Sequence, residues 1–249
     1  MTPADARATT RASVRLAIWG TLVYAASRFA GTYLAQYAAA AAIIQTVIAE
    51  WGAGRLGVAW SDPLAKTPTT KDVALRGLRG AGMGLSAAVI VGGIVIAGKA
   101  AHLSPNVPAP IAGLVGLVIP AFLAARDELL LRGLILRVLP FGALPWVRLT
   151  ACGLAEVAAT YGDGANAPAV LATAFAAGVA YGALWLRDRG AWLAWGAHAA
   201  FAWASTSLAT GALLDIRPTN TATIGESWVT TAAAVVVAIL AITATRKRW

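Results

Sequence analysis

Charged side chains are scarce in this chain of 249 residues: they make up 12% of it, while hydrophobic residues make up 59%. A soluble domain carries about 25% charged residues, so the shortage excludes an ordinary soluble domain. It predicts an all-α, polytopic bundle of transmembrane helices, forming one membrane domain over residues 1–249. Cysteine is scarce as well, and the single Cys152 excludes an intramolecular disulfide.

Eight stretches are predicted to cross the membrane, for which a helix needs about 20 mostly apolar residues. They comprise residues 16–35, 38–54, 82–101, 110–138, 147–161, 168–186, 191–212 and 228–245. Segments rich in Pro and Gly separate several of them. Residues 61–80, ahead of the third stretch, predict a segment that lies on the inner membrane surface.

Basic residues outnumber acidic ones by 20 to 11, and their positions predict an orientation. Cytoplasmic loops collect Lys and Arg. Eight spans with both termini in the cytoplasm leave most basic residues in inner loops, such as Arg55, Lys66 and Arg148. The positive charge therefore follows topology and does not indicate a nucleic-acid partner. The expected setting is the lipid bilayer of a bacterial inner membrane.

Three acidic residues and one histidine lie deep inside predicted spans: Asp127, Glu128, Glu156 and His198. Each charged group in a bilayer costs about 2.5–3.5 kcal/mol on insertion scales, so such groups are functional candidates by default. At 1.5 Å per residue from the flanking arginines, Glu156 and His198 lie about 12–14 Å in from the inner surface, and Asp127 and Glu128 lie at a similar depth. Three predicted helices thus bring ionisable groups to one layer of the membrane.

Glu128 and Arg132 are spaced i, i+4, which predicts an ion pair along one face of their helix. This pair would hold the helix register and orient its neighbours. Asp127 lies about 100° further round the helix, so it needs another partner. Arg126 or a bound water would serve.

Three motifs resemble those of a known protease family. The segments DELLLR (127–132), CGLAE (152–156) and GVAYGALWLRDRGAWLAWGAHAAFA (178–202) occur in order on successive predicted helices. They resemble the EExxxR, FxxxH and HxxxN motifs of the CPBP family, the CAAX proteases and bacteriocin-processing enzymes. The resemblance covers about residues 110–203 and, with eight spans, implies a catalytic core over 110–212.

The resemblance implies a role for each ionisable group. Asp127 and Glu156 would activate a water molecule, sharing a proton as paired carboxylates do in aspartic proteases. Glu128 would pair with Arg132. His198 would donate a hydrogen bond to the developing oxyanion.

Four positions depart from the family motifs. Asp127 stands where the family has Glu, and Cys152 where it has Phe. Glu156 replaces the histidine of the second motif, and Ala202 replaces the final asparagine. The expected activity is still that of an intramembrane endopeptidase acting on a membrane-anchored protein or peptide, through a rewired set of residues.

Other functions remain open at the level of sequence. Asp127, Glu156 and His198 could bind zinc or another divalent metal, although the sequence has no HExxH motif. Cys152 could be the nucleophile of an exosortase-like enzyme that processes or transfers C-terminal sorting tails. A degenerate relative could be a membrane scaffold or immunity protein. A transporter is a further class, but no paired half-repeats support it.

Overall fold

The computed structural model describes residues 3–61, 67–104, 113, 116–139, 143–209, 215–219 and 224–245. The helices are α1 Pro3–Tyr33, α2 Ala38–Arg55, α3 Thr70–Ala97, α4 Val118–Asp127, α5 Leu134–Val138, α6 Pro145–Gly162, α7 Pro168–Asp188, α8 Trp192–Ala209 and α9 Trp228–Thr245. A π-helical turn, Glu128–Gly133, joins α4 to α5. We call this continuous run of α4, π turn and α5 the central helix.

The described part of the chain is mostly helical, and each of the eight stretches predicted from sequence contains one continuous helical segment. Three of the described helices, α3, α7 and α9, are long and apolar enough to cross a membrane. The count of eight spans and the cytoplasmic termini stay predictions. Some predicted features lie outside the described residues: 62–66, 110–112, 210–212 and the basic residues 246–248.

The third helix begins earlier than the sequence indicated. From Thr70 onward, the segment expected at the membrane surface over 61–80 forms the first turns of α3, and its position at the surface stays a prediction. Thr69 caps the helix: its hydroxyl accepts a hydrogen bond from the Asp72 amide, and the Asp72 carboxylate accepts one from the Thr69 amide. This reciprocal capping box satisfies two amides that would otherwise lack partners.

A short sheet accompanies the helices, which still make up most of the described residues, as the all-α prediction expected. Strand β1, Ala101–Ser104, pairs antiparallel with β2, Asp215–Pro218. Each strand is only four residues long, so neither has the alternating pattern that would reveal it in the sequence. Strand β1 contacts α3, which it follows in the chain, and β2 contacts α8.

Glycines let α3 and α8 pack backbone to backbone. A side chain at Gly80 would collide with the carbonyl oxygen of Leu193, and one at Gly84 with that of Ala197. Small residues at such contacts bring membrane helices close together. This contact fixes α8, and with it the position of His198, beside the central helix.

Candidate active site

The π turn of the central helix carries two fully buried charges. The side chains of Glu128 and Arg132 are each 0% exposed. Arg132 Nη1 lies 3.6 Å from Glu128 Oε1, which confirms the ion pair expected from the i, i+4 spacing. π-helical turns inside α-helices occur frequently at functional sites. No pattern in the sequence indicated this turn.

Arg132 also makes a second ion pair that the sequence did not reveal. Its Nη2 atom contacts Oε2 of Glu156, which extends from α6. One guanidinium therefore links carboxylates on two helices. A buried charge whose partner is removed costs about 3–5 kcal/mol, so both pairs hold the helices in register.

His198 joins the same group from α8. Its Nδ1 atom lies 3.0 Å from Glu128 Oε1. The imidazole stacks on the ring of Tyr181, with centroids 4.4 Å apart and planes 15° apart. The guanidinium carbon of Arg132 lies 5.2 Å from the centre of that same Tyr181 ring. The structure thus brings Glu128, Glu156 and His198 together around Arg132.

Asp127 points to a different set of partners. Its Oδ1 atom accepts hydrogen bonds from Nε and Nη2 of Arg126, both at 2.7 Å. Arg126 Nη1 in turn donates to Oε1 of Gln45 on α2, at 2.5 Å. The sequence offered Arg126 as one candidate partner but gave no signal for Gln45, which is 81 residues away. Asp127 and Glu156 therefore lie in separate ion pairs, each with one carboxylate oxygen outside its pair.

A scan against protein families matches residues 108–204 to the model described as type II CAAX prenyl endopeptidase Rce1-like. The match covers the central helix and all four ionisable groups. This segment is therefore similar to the Rce1-like family. That is the family that the sequence motifs resembled, and it is a family of proteases. No curated protein and no solved structure matches the chain.

Within the Rce1-like segment, Cys152 lies one helical turn before Glu156 and is fully buried, at 0% exposed. A side chain at Gly178 would lie 2.6 Å from the Cys152 carbonyl oxygen and 2.8 Å from Glu156 Cβ. Gly182 meets Cys152 in the same way. These glycines of α7 bring α6 close and place Glu156 in the helix interface. Cys152 packs in that interface as a small apolar side chain, and a buried thiol is usually inert.

Ala202 of the Rce1-like segment lies one turn beyond His198 on α8 and is half-buried. Its methyl group has neither a hydrogen-bond donor nor an acceptor. Ala202 therefore cannot make the hydrogen bond that the asparagine of the family motif could make at this position.

The predicted metal ligands do not form a metal site. Among the described residues, which include Asp127, Glu156 and His198, no three His, Cys, Asp or Glu side chains are grouped to hold an ion. The guanidinium of Arg132 contacts Glu156 and would repel a cation placed there. The donor set therefore does not fit a divalent metal.

The surroundings of the Rce1-like segment are those of an integral membrane protein. Three helices apolar enough to cross a membrane and the match to a membrane protease family agree on this. Large apolar side chains also face outward on α3 and α9, including Val89, which is 75% exposed, and Ile239, which is 54% exposed. Such residues suit contact with lipid tails.

Proposed function

We propose that the chain is an intramembrane endopeptidase that hydrolyses a peptide bond of a membrane-anchored protein or peptide. The observation that carries the proposal is the linkage of Glu128, Glu156 and His198 around Arg132. A scaffold has no need of buried ionisable groups from three helices, which are expensive in a bilayer. The family match supports the same class of activity.

In the proposed reaction, a water molecule attacks the carbonyl carbon of the scissile peptide bond. A carboxylate of Asp127 or of Glu156, which lie in separate ion pairs, accepts one proton of the water. The hydroxyl oxygen bonds to the carbonyl carbon, whose oxygen becomes an oxyanion. The tetrahedral intermediate then releases the amine, which takes the proton back as the peptide bond breaks.

His198 is the proposed donor to the oxyanion. Its Nδ1 faces the carboxylate of Glu128, so Nε2 is the ring atom left for the substrate. Nε2 donates a hydrogen bond when the ring carries both protons, and Glu128 accepts the other N–H. Stacking on Tyr181 fixes the plane of the ring. Donors held in advance at the oxyanion are worth about 10²–10³ in kcat.

The proposed substrate is anchored in the same membrane as the enzyme. The membrane proposed is the bacterial inner membrane. The matched family is described as prenyl endopeptidases, which suggests a prenylated peptide as the first substrate to assay. A purified sample in proteoliposomes can be given a prenylated peptide and the same peptide without its prenyl group.

Terminal proteomics of membrane proteins tests the proposal without assuming a substrate. Cells that carry the wild-type chain are compared with cells that carry Glu156→Ala at equal expression. A matched control is Glu50→Gln, since Glu50 is an exposed residue that accepts a hydrogen bond from Trp60, and an amide oxygen can do the same. We expect new protein termini with wild type and Glu50→Gln and their loss with Glu156→Ala. Identical termini in all three strains would contradict the proposal and favour a scaffold.

A further inference from the structure

A second site of the molecule lies beside the ion-paired group, and none of the charged residues of that group lines it. It is a cavity of about 1300 Å³ enclosed by α3, α7, α8 and α9. Tyr181 lies between the cavity and the ion-paired group. It lines this cavity, and its ring stacks on His198. Asp127, Glu128 and Glu156 lie outside the lining. The cavity is therefore separate from the proposed reaction centre, although one aromatic ring touches both.

One end of the cavity is strongly basic. Four arginines line it there, and Asp188 is the acidic residue among them: Arg76, Arg79, Arg187 and Arg189. Arg76 Nη1 lies 3.3 Å from Asp188 Oδ1, so that arginine is neutralised. Within the described residues, the other three arginines form no ion pair. This end of the cavity, which we call the mouth, therefore has an excess of positive charge.

Beyond the mouth the walls are mostly apolar. Ile90 and Val91 of α3, Ala180 of α7 and Val237 of α9 are among the lining residues. From Arg76 to Val91 the cavity follows α3 for about 22 Å, at 1.5 Å per residue. Pockets for drug-sized ligands are about 300–1000 Å³, so this cavity has room for a larger amphiphile. We call the long apolar part of the cavity beyond the mouth the bore. The bore suits an acyl chain, and the basic mouth suits the anionic headgroup of the same lipid.

We propose that this cavity binds an anionic phospholipid. The headgroup phosphate lies among Arg79, Arg187 and Arg189, and an acyl chain extends along α3 towards Val91. Basic pockets between membrane helices bind anionic headgroups in this way, and arginine forms paired hydrogen bonds with phosphate. A neutral, zwitterionic lipid would fill the bore but would leave the excess positive charge at the mouth unbalanced.

The headgroup is tested by native mass spectrometry of the purified full chain in detergent. Phosphatidylglycerol and phosphatidylcholine with identical acyl chains are added at equal concentration. We expect preferential retention of phosphatidylglycerol. Each arginine near an anionic headgroup is worth about fivefold in affinity, so Arg79→Gln and Arg187→Gln should each weaken retention of phosphatidylglycerol about fivefold. Arg55→Gln is the control, because Arg55 lies over Trp51 at the end of α2 and does not line the cavity.

The bore is tested with a pair of glycines on the same helix. Gly82 lines the cavity, and a Cβ there would meet no atom within 4 Å. Gly93 is equally open but does not line the cavity. Gly82→Leu should reduce the retention of both lipids at least fivefold by occupying the bore, and Gly93→Leu should leave retention unchanged. Both substitutions replace a helical glycine, so a general effect on the helix would appear in both variants.

Equal retention of the two lipids by the wild-type chain would overturn the proposal, because it would show that the arginines do not select a headgroup. Equal losses in Arg79→Gln and Arg55→Gln, or in Gly82→Leu and Gly93→Leu, would also overturn it. Displacement of the phospholipid by a prenylated peptide would assign the cavity to the substrate instead and would likewise contradict it.

Discussion

His198 Nδ1 and Glu128 Oε1, on α8 and the central helix, lie 3.0 Å apart, so the imidazole is held by a carboxylate that is itself paired with Arg132. Oε2 of Glu128 is buried and makes no hydrogen bond to another described residue. A buried oxygen without a partner is costly and often marks a functional group. Glu128 therefore does more than pair with Arg132: it also orients His198.

Glu128→Gln and His198→Ala should each lower kcat by about 10²-fold, because the first loosens the ring and the second removes the donor. The double variant should be no slower than the more damaging single variant, since the two residues act as one unit. Single-turnover rates of peptide cleavage by the three variants in proteoliposomes measure this. Losses that multiply would show that Glu128 and His198 act independently.

Arg132→Leu should destabilise the protein by about 3–5 kcal/mol, because it leaves the mostly buried Glu156 carboxylate without its ion-pair partner and the buried Glu128 carboxylate with His198 alone. Arg137→Leu is the matched control, since Arg137 is exposed near the end of the same central helix. Denaturant unfolding in detergent gives both free energies. Equal stability of the two variants would mean that the ion pairs contribute nothing to the fold.

Gly178→Ala should cost about 1–3 kcal/mol of stability and most of the activity. The new methyl group would press on the Cys152 carbonyl and on Glu156 Cβ, and so push α6 and its carboxylate away from Arg132. Gly93→Ala, where a Cβ meets nothing within 4 Å, is the control. Thermal unfolding and peptide cleavage are measured on both variants. Normal activity in Gly178→Ala would show that the position of Glu156 is not critical.

Cys152→Ala should retain activity within a fewfold, because the thiol is buried in the interface of α6 and α7. Thiol-blocking reagents should likewise leave wild-type cleavage unchanged. Abolished cleavage in a Cys152→Ala variant of normal stability would favour the thiol mechanism of an exosortase-like enzyme.

Gln45→Leu should lower activity through Asp127. The substitution removes the acceptor for Arg126 Nη1, and Arg126 then holds the Asp127 carboxylate less firmly. Loss of a buried partner costs about 1–3 kcal/mol. Gln36→Leu, at an exposed position between α1 and α2, is the control. Cleavage rates and unfolding curves of the two variants are compared, and equal rates would mean that Gln45 does not position Asp127.

The sequence predicted contacts within one helix better than contacts between helices. The Glu128–Arg132 ion pair follows from i, i+4 spacing alone, so it could be predicted. The contact between Arg132 and Glu156 depends on how closely α6 approaches the central helix, which spacing does not determine. Gln45 is distant in sequence and carries no motif, so its contact with Arg126 could be found only from packing.

Helix positions were predictable from hydrophobicity, and their ends less so. The stretch 228–245 coincides with α9. The start of α3 was missed because its first turns are charged, although the Thr69 and Asp72 capping box was a readable signal. The π turn had no such signal, because it inserts one residue per turn without a change in composition.

Cleavage of a prenylated peptide by the full chain in proteoliposomes, compared between wild type and Glu156→Gln, tests the central claim most directly. Glu156→Gln keeps the size of the side chain but removes the carboxylate, and Glu50→Gln controls for the substitution itself. We expect cleavage by wild type and Glu50→Gln, and a loss of about 10²–10⁴-fold in Glu156→Gln. Wild-type rates in Glu156→Gln would contradict a water activated by this carboxylate.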